Sequence, residues 1–283
     1  MAISIAVDGK KVPVETVVFS DGGVNLKILA DPGAVVNSFI TITLEPSSNC
    51  SSALFEILLA RDAVLRTYEN IQELNLDLRY LPHARADRVF ECGNGNPLKT
   101  FADCLINYFN TIFLTDPHSD AFLHAMPAQN FVVTAQDSCF LSATSSAVSG
   151  DIIVSPDKGA AAKCKKLQDR LASRKQFLKL VCAHKARDLT TGKITGTYLP
   201  DDADVHGKRC IIVDDICDGG GTFIPLANLL RKQGAAKIDL YVTHGIFSKG
   251  VDLFNGVINT IYCYQLVGNH VTANQLFTFN HGE

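Results

Sequence analysis

The chain alternates short apolar runs with longer amphipathic stretches. Phe39–Leu44 (FITITL) is rich in β-branched residues and predicts a strand. In 51–68, Leu54, Ile57, Leu58, Val64 and Leu65 are spaced by threes and fours, which gives one apolar helix face. Residues 76–81 read as a strand, 97–109 as a helix and Thr111–Thr115 as a strand. After Val148 the pattern resumes with strands at Ile152–Ser155, 177–183, 210–213 and 238–244, and helices at 160–173 and 222–233. Such alternation predicts an α/β fold, with mainly parallel sheets flanked by helices. It occurs in both halves, so two similar domains are expected. The stretch 141–150 (LSATSSAVSG) is rich in small polar residues and marks the boundary, giving domains 1–147 and 148–283. An ordinary surface loop accounts for that stretch equally well.

A length of 283 residues fits two domains or one large one. The hydrophobic share of 47% and charged share of 19% are those of a folded chain. Lys and Arg total 26 against 29 Asp and Glu, a net charge of −3. That balance argues against a nucleic-acid coat or a polybasic membrane surface, though not against a local basic pocket. No apolar run approaches the roughly 20 residues of a membrane helix, and the N-terminus shows no signal-peptide pattern. The nine cysteines are odd in number and lack any CxxC, which points to reduced thiols in a cytoplasmic protein.

The most informative segment is 209–223, RCIIVDDICDGGGTF. Four apolar residues run into Asp214 and Asp215, and α/β sheets gather ligands at the carboxyl ends of their strands. Two carboxylates there can accept hydrogen bonds from sugar hydroxyls or hold Mg²⁺ through water. Asp218, Gly219, Gly220, Gly221 and Thr222 follow, then a helical run. Glycines let backbone N–H groups approach an anion, and a helix start adds the positive end of its dipole. The segment describes a site for a ribose bearing a phosphate. A glycine-rich turn with two solvated acids accounts for either half of the motif taken alone.

Together they resemble the phosphoribosyl-diphosphate loop of type I phosphoribosyltransferases and ribose-phosphate pyrophosphokinases. Five other segments resemble the second family, in its order. They are 19–22 (FSDG), 83–88 (HARADR), 116–119 (DPHS), 154–159 (VSPDKG) and 243–248 (THGIFS). The resemblance implies transfer of the β,γ-diphosphate of ATP to the C1 hydroxyl of a ribose phosphate, with AMP leaving. It implies ATP contacts from Phe19, Asp21, Arg85, Asp87, Arg88 and His118, and Mg²⁺ contacts from His118 and Asp157. The ribose phosphate falls to Asp214, Asp215 and 218–222. Lys185 and Arg187 in 184–188 (HKARD) occupy the family's catalytic K-x-R, ahead of a lid over 189–207. A nucleotide site shared between subunits implies a homodimer or larger homo-oligomer.

The sequence departs from the family at Gly23 (commonly Glu), Ala86 (commonly Gln) and Gly219 (commonly Thr, in Asp-Thr-[AG]-Gly-Thr). Gly219 removes a hydroxyl from the phosphate loop and is expected to open space beside it. More room would admit a phosphodiester such as ADP-ribose as an alternative acceptor, while plain drift in an enzyme of ribose 5-phosphate, the acceptor expected first, accounts for the change equally. Phosphoribosyl transfer and a non-catalytic regulatory role also remain open.

Overall fold

The computed structural model describes residues 3–29, 34–35, 38–47, 49–144, 147–187 and 194–271. The chain divides into two compact units, Met1–Thr134 and Ala135–Glu283. The seam lies earlier than the 147/148 boundary expected from composition. The reason is the helix at Gln136–Ala143, whose buried Cys139 and Phe140 join a core cluster with Ile153, Leu167 and Tyr241 of the second unit. The rings of Phe140 and Tyr241 meet edge to face with centroids 4.8 Å apart.

The first unit runs β1 (Ile3–Val7), β2 (Lys10–Val12), β3 (Val14–Val18), β4 (Val24–Ile28), β5 (Ala34–Val35), β6 (Phe39–Leu44), α1 (Cys50–Thr67), β7 (Tyr68–Glu69), β8 (Glu73–Leu78), α2 (Pro97–Asp103), β9 (Thr111–Thr115), α3 (Ala121–Ala125) and β10 (Asn130–Thr134). Six strands form one sheet in the order β10-β9-β8-β6-β1-β2. The pairs from β10 to β6 are parallel, while β1 is antiparallel to both neighbours. Strands β3 and β4 make a separate hairpin. Helix α1 starts where Asn49 accepts the N–H of Ser51, and it buries Ala53, Ile57, Ala60 and Val64. The predicted helix over 97–109 stops at Asp103, and Asn107 beyond it takes a left-handed φ of 63°. The predicted strand at 76–81 lies at Glu73–Leu78 instead. Asn75 is kept inside it because its side chain accepts the N–H of Thr111 at 3.1 Å.

The second unit runs α4 (Gln136–Ala143), β11 (Ile152–Ser155), α5 (Lys158–Ser173), β12 (Lys179–Cys182), β13 (His184–Arg187), β14 (Ile194–Tyr198), β15 (Arg209–Cys217), α6 (Phe223–Lys232), β16 (Lys237–Gly245) and β17 (Thr260–Leu266). Its sheet is wholly parallel, in the order β12-β11-β15-β16-β17. The order reverses between β11 and β15, and in open α/β sheets that reversal opens a crevice at the carboxyl ends of the strands.

At the opposite end of the sheet, Arg209 opens β15 with a shared fork. Its Nε donates to Asp239 Oδ2 at 2.7 Å, Nη1 to Asp151 Oδ2 at 3.2 Å and Nη2 to the Tyr262 hydroxyl at 3.3 Å. Among the described residues, no helix is long and apolar enough to cross a membrane.

Candidate active site

Strand β15 carries its apolar run Ile211, Ile212 and Val213 fully buried, then continues through both acids to Cys217. Asp214 and Asp215 therefore lie inside the strand, not beyond a strand ending at 213 as the sequence pattern suggested. Hydrogen bonding to β16 holds them there, with Asp214 opposite Val242 and Ile216 opposite His244. The two carboxylates take different partners. Asp214, half-buried, accepts the N–H of Asp215 at 2.9 Å. Asp215 is buried and pairs with Lys163 Nζ of α5 at 3.0 Å. Lys163 is a site neighbour that the sequence did not reveal. It lies 52 positions away, and only the packing of α5 on the sheet brings it near.

The turn after β15 is tightly constrained. Gly220 has a left-handed φ of 75°. A Cβ there would stand 2.6 Å from Leu253 Cδ1 and 3.0 Å from Phe254 Cζ. A side chain there would be strained by the angle and would force Leu253 and Phe254 to shift. Its carbonyl accepts the N–H groups of Phe223 and Ile224 at 3.0 and 3.1 Å, which starts α6 directly after Thr222. Gly221 is exposed, and nothing would lie within 4 Å of a Cβ there. An anion can approach the backbone from that side, at the positive end of a ten-residue helix.

The loop after β16 backs the turn. Ile246 and Phe247 donate their N–H groups to the Cys217 carbonyl at 2.8 and 3.1 Å, and Ser248 donates its hydroxyl to Asp218. Gly219 does not open space, contrary to expectation. The stem of Lys249 fills the gap, with Cδ and Cε 3.3 Å from a Cβ built at Gly219.

The turn after β11 lies on the other side of the strand-order reversal. Asp157 caps α5 there, its Oδ1 accepting the N–H groups of Gly159 at 2.9 Å and Ala160 at 3.2 Å. Lys185 and Arg187 lie on β13, which pairs with β14 in an antiparallel hairpin, Lys185 opposite Thr197. Of the expected lid over 189–207, residues 189–193 lie outside the described residues, and Ile194–Tyr198 form β14.

In the first unit, Phe19 and Asp21 sit at the tip of the β3–β4 hairpin. The Phe19 N–H bonds the Gly23 carbonyl at 2.7 Å, and Asp21 Oδ1 accepts the Gly23 N–H at 2.9 Å. Phe19 is exposed. The HARADR and DPHS segments meet where Ser119 donates its hydroxyl to Asp87 Oδ2 at 2.7 Å. Arg88 Nε lies 3.6 Å from Asp87 Oδ1. Arg85 and His118 are exposed at the same end of the sheet. His83 and Asp116, which open these two segments, have φ values of 60° and 38°, and Phe247 in THGIFS has 47°. Left-handed backbone at non-glycine residues is costly and gathers at functional sites.

Burial pushes the Cys164 thiol up to about 12 and raises that of Cys217 as well, so neither offers a thiolate near the turn at neutral pH. Among the described residues, no group of three or more His, Cys, Asp or Glu is placed to hold a metal. The half-buried carboxylate of Asp214 nonetheless suits Mg²⁺, which takes one or two carboxylates together with water and substrate phosphates. The imidazole of His118 suits that hard cation less, and Asp157 already commits one oxygen to its helix cap.

Residues 142–260 match the phosphoribosyl transferase domain family. A ribose-phosphate pyrophosphokinase from Pyrococcus furiosus is 30% identical over 242 residues, 84% of this chain and 79% of the relative. The chain belongs to the ribose-phosphate pyrophosphokinase family. A second such enzyme, from Mycoplasmopsis pulmonis, is 27% identical over 277 residues, 93% of this chain and 79% of the relative. The phosphoribosylpyrophosphate synthetase of Mycobacterium smegmatis shares the fold, with a TM-score of 0.72 at 22% identity, covering 89% of this chain and 80% of that one. Membership of the pyrophosphokinase family gives the chain an enzymatic ancestry of diphosphate transfer.

Proposed function

We propose that the protein transfers the β,γ-diphosphate of ATP to the C1 hydroxyl of ribose 5-phosphate. The C1 oxygen attacks the β-phosphorus, a new P–O bond forms, the bond to the α-phosphate oxygen breaks, and AMP departs. The hydroxyl loses its proton as the bond forms. The observation that carries this reading is the strand-turn-helix from Asp214 to Phe223, set beside the strand-order reversal of a pyrophosphokinase-family sheet.

In this reading the N–H groups of 219–222 and the start of α6 receive the 5-phosphate, and Asp214 accepts hydrogen bonds from ribose hydroxyls. The reaction accumulates charge on phosphate oxygens, so positioning and electrostatics supply most of the catalysis. Lys185 and Arg187 on β13 are assigned that task. Arg85, Asp87, Arg88, His118, Phe19 and Asp21 are assigned to ATP. Mg²⁺, held by Asp214 with water and the substrates' phosphates, would neutralise charge on the phosphate oxygens.

Phe19 is 54% exposed and Val18 64%, so the β3–β4 hairpin carries an apolar tip suited to cover by another copy of the chain. This supports a homodimer or larger assembly. The Lys249 stem beside Gly219 counts against the extra room on which the phosphodiester alternative rested.

Incubation with Mg–ATP and ribose 5-phosphate is expected to release AMP in step with a new acid-labile sugar diphosphate. Release of pyrophosphate from an already activated sugar, with no AMP formed from ATP, would instead identify a phosphoribosyltransferase. Absence of any turnover despite ATP binding would identify a regulatory relative. Lys185→Ala is expected to lower kcat by roughly 10²–10³-fold, the usual loss for one preorganised charge-stabilising group, with an unchanged melting curve. Near-normal turnover would remove Lys185 from the mechanism.

A further inference from the structure

The filled gap at Gly219 points to a ligand group that the family pattern does not contain. Gly220 needs to be glycine because of its φ of 75°, but Gly219 is not among the residues with positive φ. Its φ therefore imposes no left-handed strain on an L residue. What a side chain at 219 would meet is Lys249, with Cδ and Cε at 3.3 Å and Cγ at 3.5 Å. The missing side chain and the lysine stem are complementary, one leaving the slot that the other fills.

The root of the lysine is also fixed. Phe247 donates its N–H to the Cys217 carbonyl at 3.1 Å, Ser248 donates its hydroxyl to Asp218, and Gly250 donates its N–H to the Phe247 carbonyl at 2.8 Å. Phe247 holds a left-handed φ of 47° to make this turn. The stem thus lies against Gly219, and the ammonium is one bond beyond the Cε that meets it. Lys249 is exposed and makes no ion pair with a described residue. Lys163, the cation beside Asp215, is already paired with it.

We propose that Lys249 is a ligand of the 5-phosphate of the ribose substrate, standing where related loops carry a threonine hydroxyl at the position of Gly219. The proposal rests on the reading of 218–222 as the ribose-phosphate loop. It adds a preference: a hydroxyl gives one hydrogen bond whatever the charge of its acceptor, whereas an ammonium favours a dianionic phosphomonoester over a singly charged diester.

The test measures ribose 5-phosphate binding by calorimetry and, separately, steady-state kinetics of AMP release. Lys249→Ala is expected to raise both the Kd and the KM for ribose 5-phosphate about tenfold, the lower range for a charge-assisted hydrogen bond. The KM for ATP and kcat should stay within twofold of the parent. Lys249→Arg should restore binding to within about threefold, and Lys249→Met should behave like the alanine variant. The pair Lys249→Ala with Gly219→Ser should regain part of the loss, because the vacated slot accepts a hydroxyl. A Kd for Lys249→Ala within twofold of the parent would overturn the proposal. Lys249-dependent binding without AMP release would uphold it while overturning the proposed reaction. No binding of ribose 5-phosphate by the parent protein would overturn both.

Discussion

The two units present their candidate groups in different ways. In the second, the turn after β15 is held from within. Gly220 is packed against Leu253 and Phe254, Asp215 is paired with Lys163, and Ser248 holds Asp218. In the first, the groups assigned to ATP sit on the exposed hairpin tip and on two loops joined by the Ser119–Asp87 hydrogen bond. The topologies differ in the same sense. The parallel strands of the first sheet follow one another in chain order from β6 to β10, while the second sheet reverses order at β11 and β15. A fixed turn suits a small anion that must be placed to within tenths of an ångström. An exposed set of arginines and a phenylalanine suits a larger nucleotide, with part of its surroundings supplied from elsewhere.

The contrast breaks first at Gly220. Gly220→Ala puts a Cβ 2.6 Å from Leu253 Cδ1 at a φ of 75°. Left-handed strain and overpacking together should cost about 2–4 kcal/mol. Denaturant unfolding should show the loss, and unchanged stability would mean that the turn is not held as described. Lys163→Ala comes next. It removes the cation facing the buried Asp215 carboxylate, and since Lys163 is 27% exposed the expected loss is about 1–3 kcal/mol, below that for a fully buried pair. The loss should shrink in Lys163→Ala/Asp215→Asn, and a double-mutant cycle with no coupling would remove the pair from the turn's support. Ser119→Ala should have the smallest effect, about 1 kcal/mol. In the loosely tethered unit it should appear mainly as a several-fold higher KM for ATP. An unchanged KM for ATP would separate this hydrogen bond from nucleotide binding.

The apolar periodicities revealed β6, α1, β9, β11 and α5 to within a few residues, because each buries one continuous face or run. Their absence from the pattern explains the misses. The polar pair Asp214 and Asp215 hid the end of β15, since strand pairing with β16 outweighs their low strand propensity. Helix α2 closed at Asp103, with Cys104 as its cap, although apolar residues continue to Phe109 in the sequence. The small polar stretch 141–150 looked like a seam, although the residues just before it, Cys139 and Phe140, belong to the second core. At the site, contiguous residues such as 214–222 were legible. Lys163 and Lys249 were not, because only folding brings them beside the turn.

The fork made by Arg209 governs how far the turn can reach. It ties the first residue of β15 to Asp151, Asp239 and Tyr262, which belong to or adjoin three of the four other strands of the sheet, β11, β16 and β17. A strand anchored at its origin by a planar group with three fixed bonds cannot slip along its neighbours, and a slip of one residue would exchange the faces of Asp214 and Asp215. Nine residues of β15 therefore act as a ruler, delivering the glycine turn at a set height above the sheet.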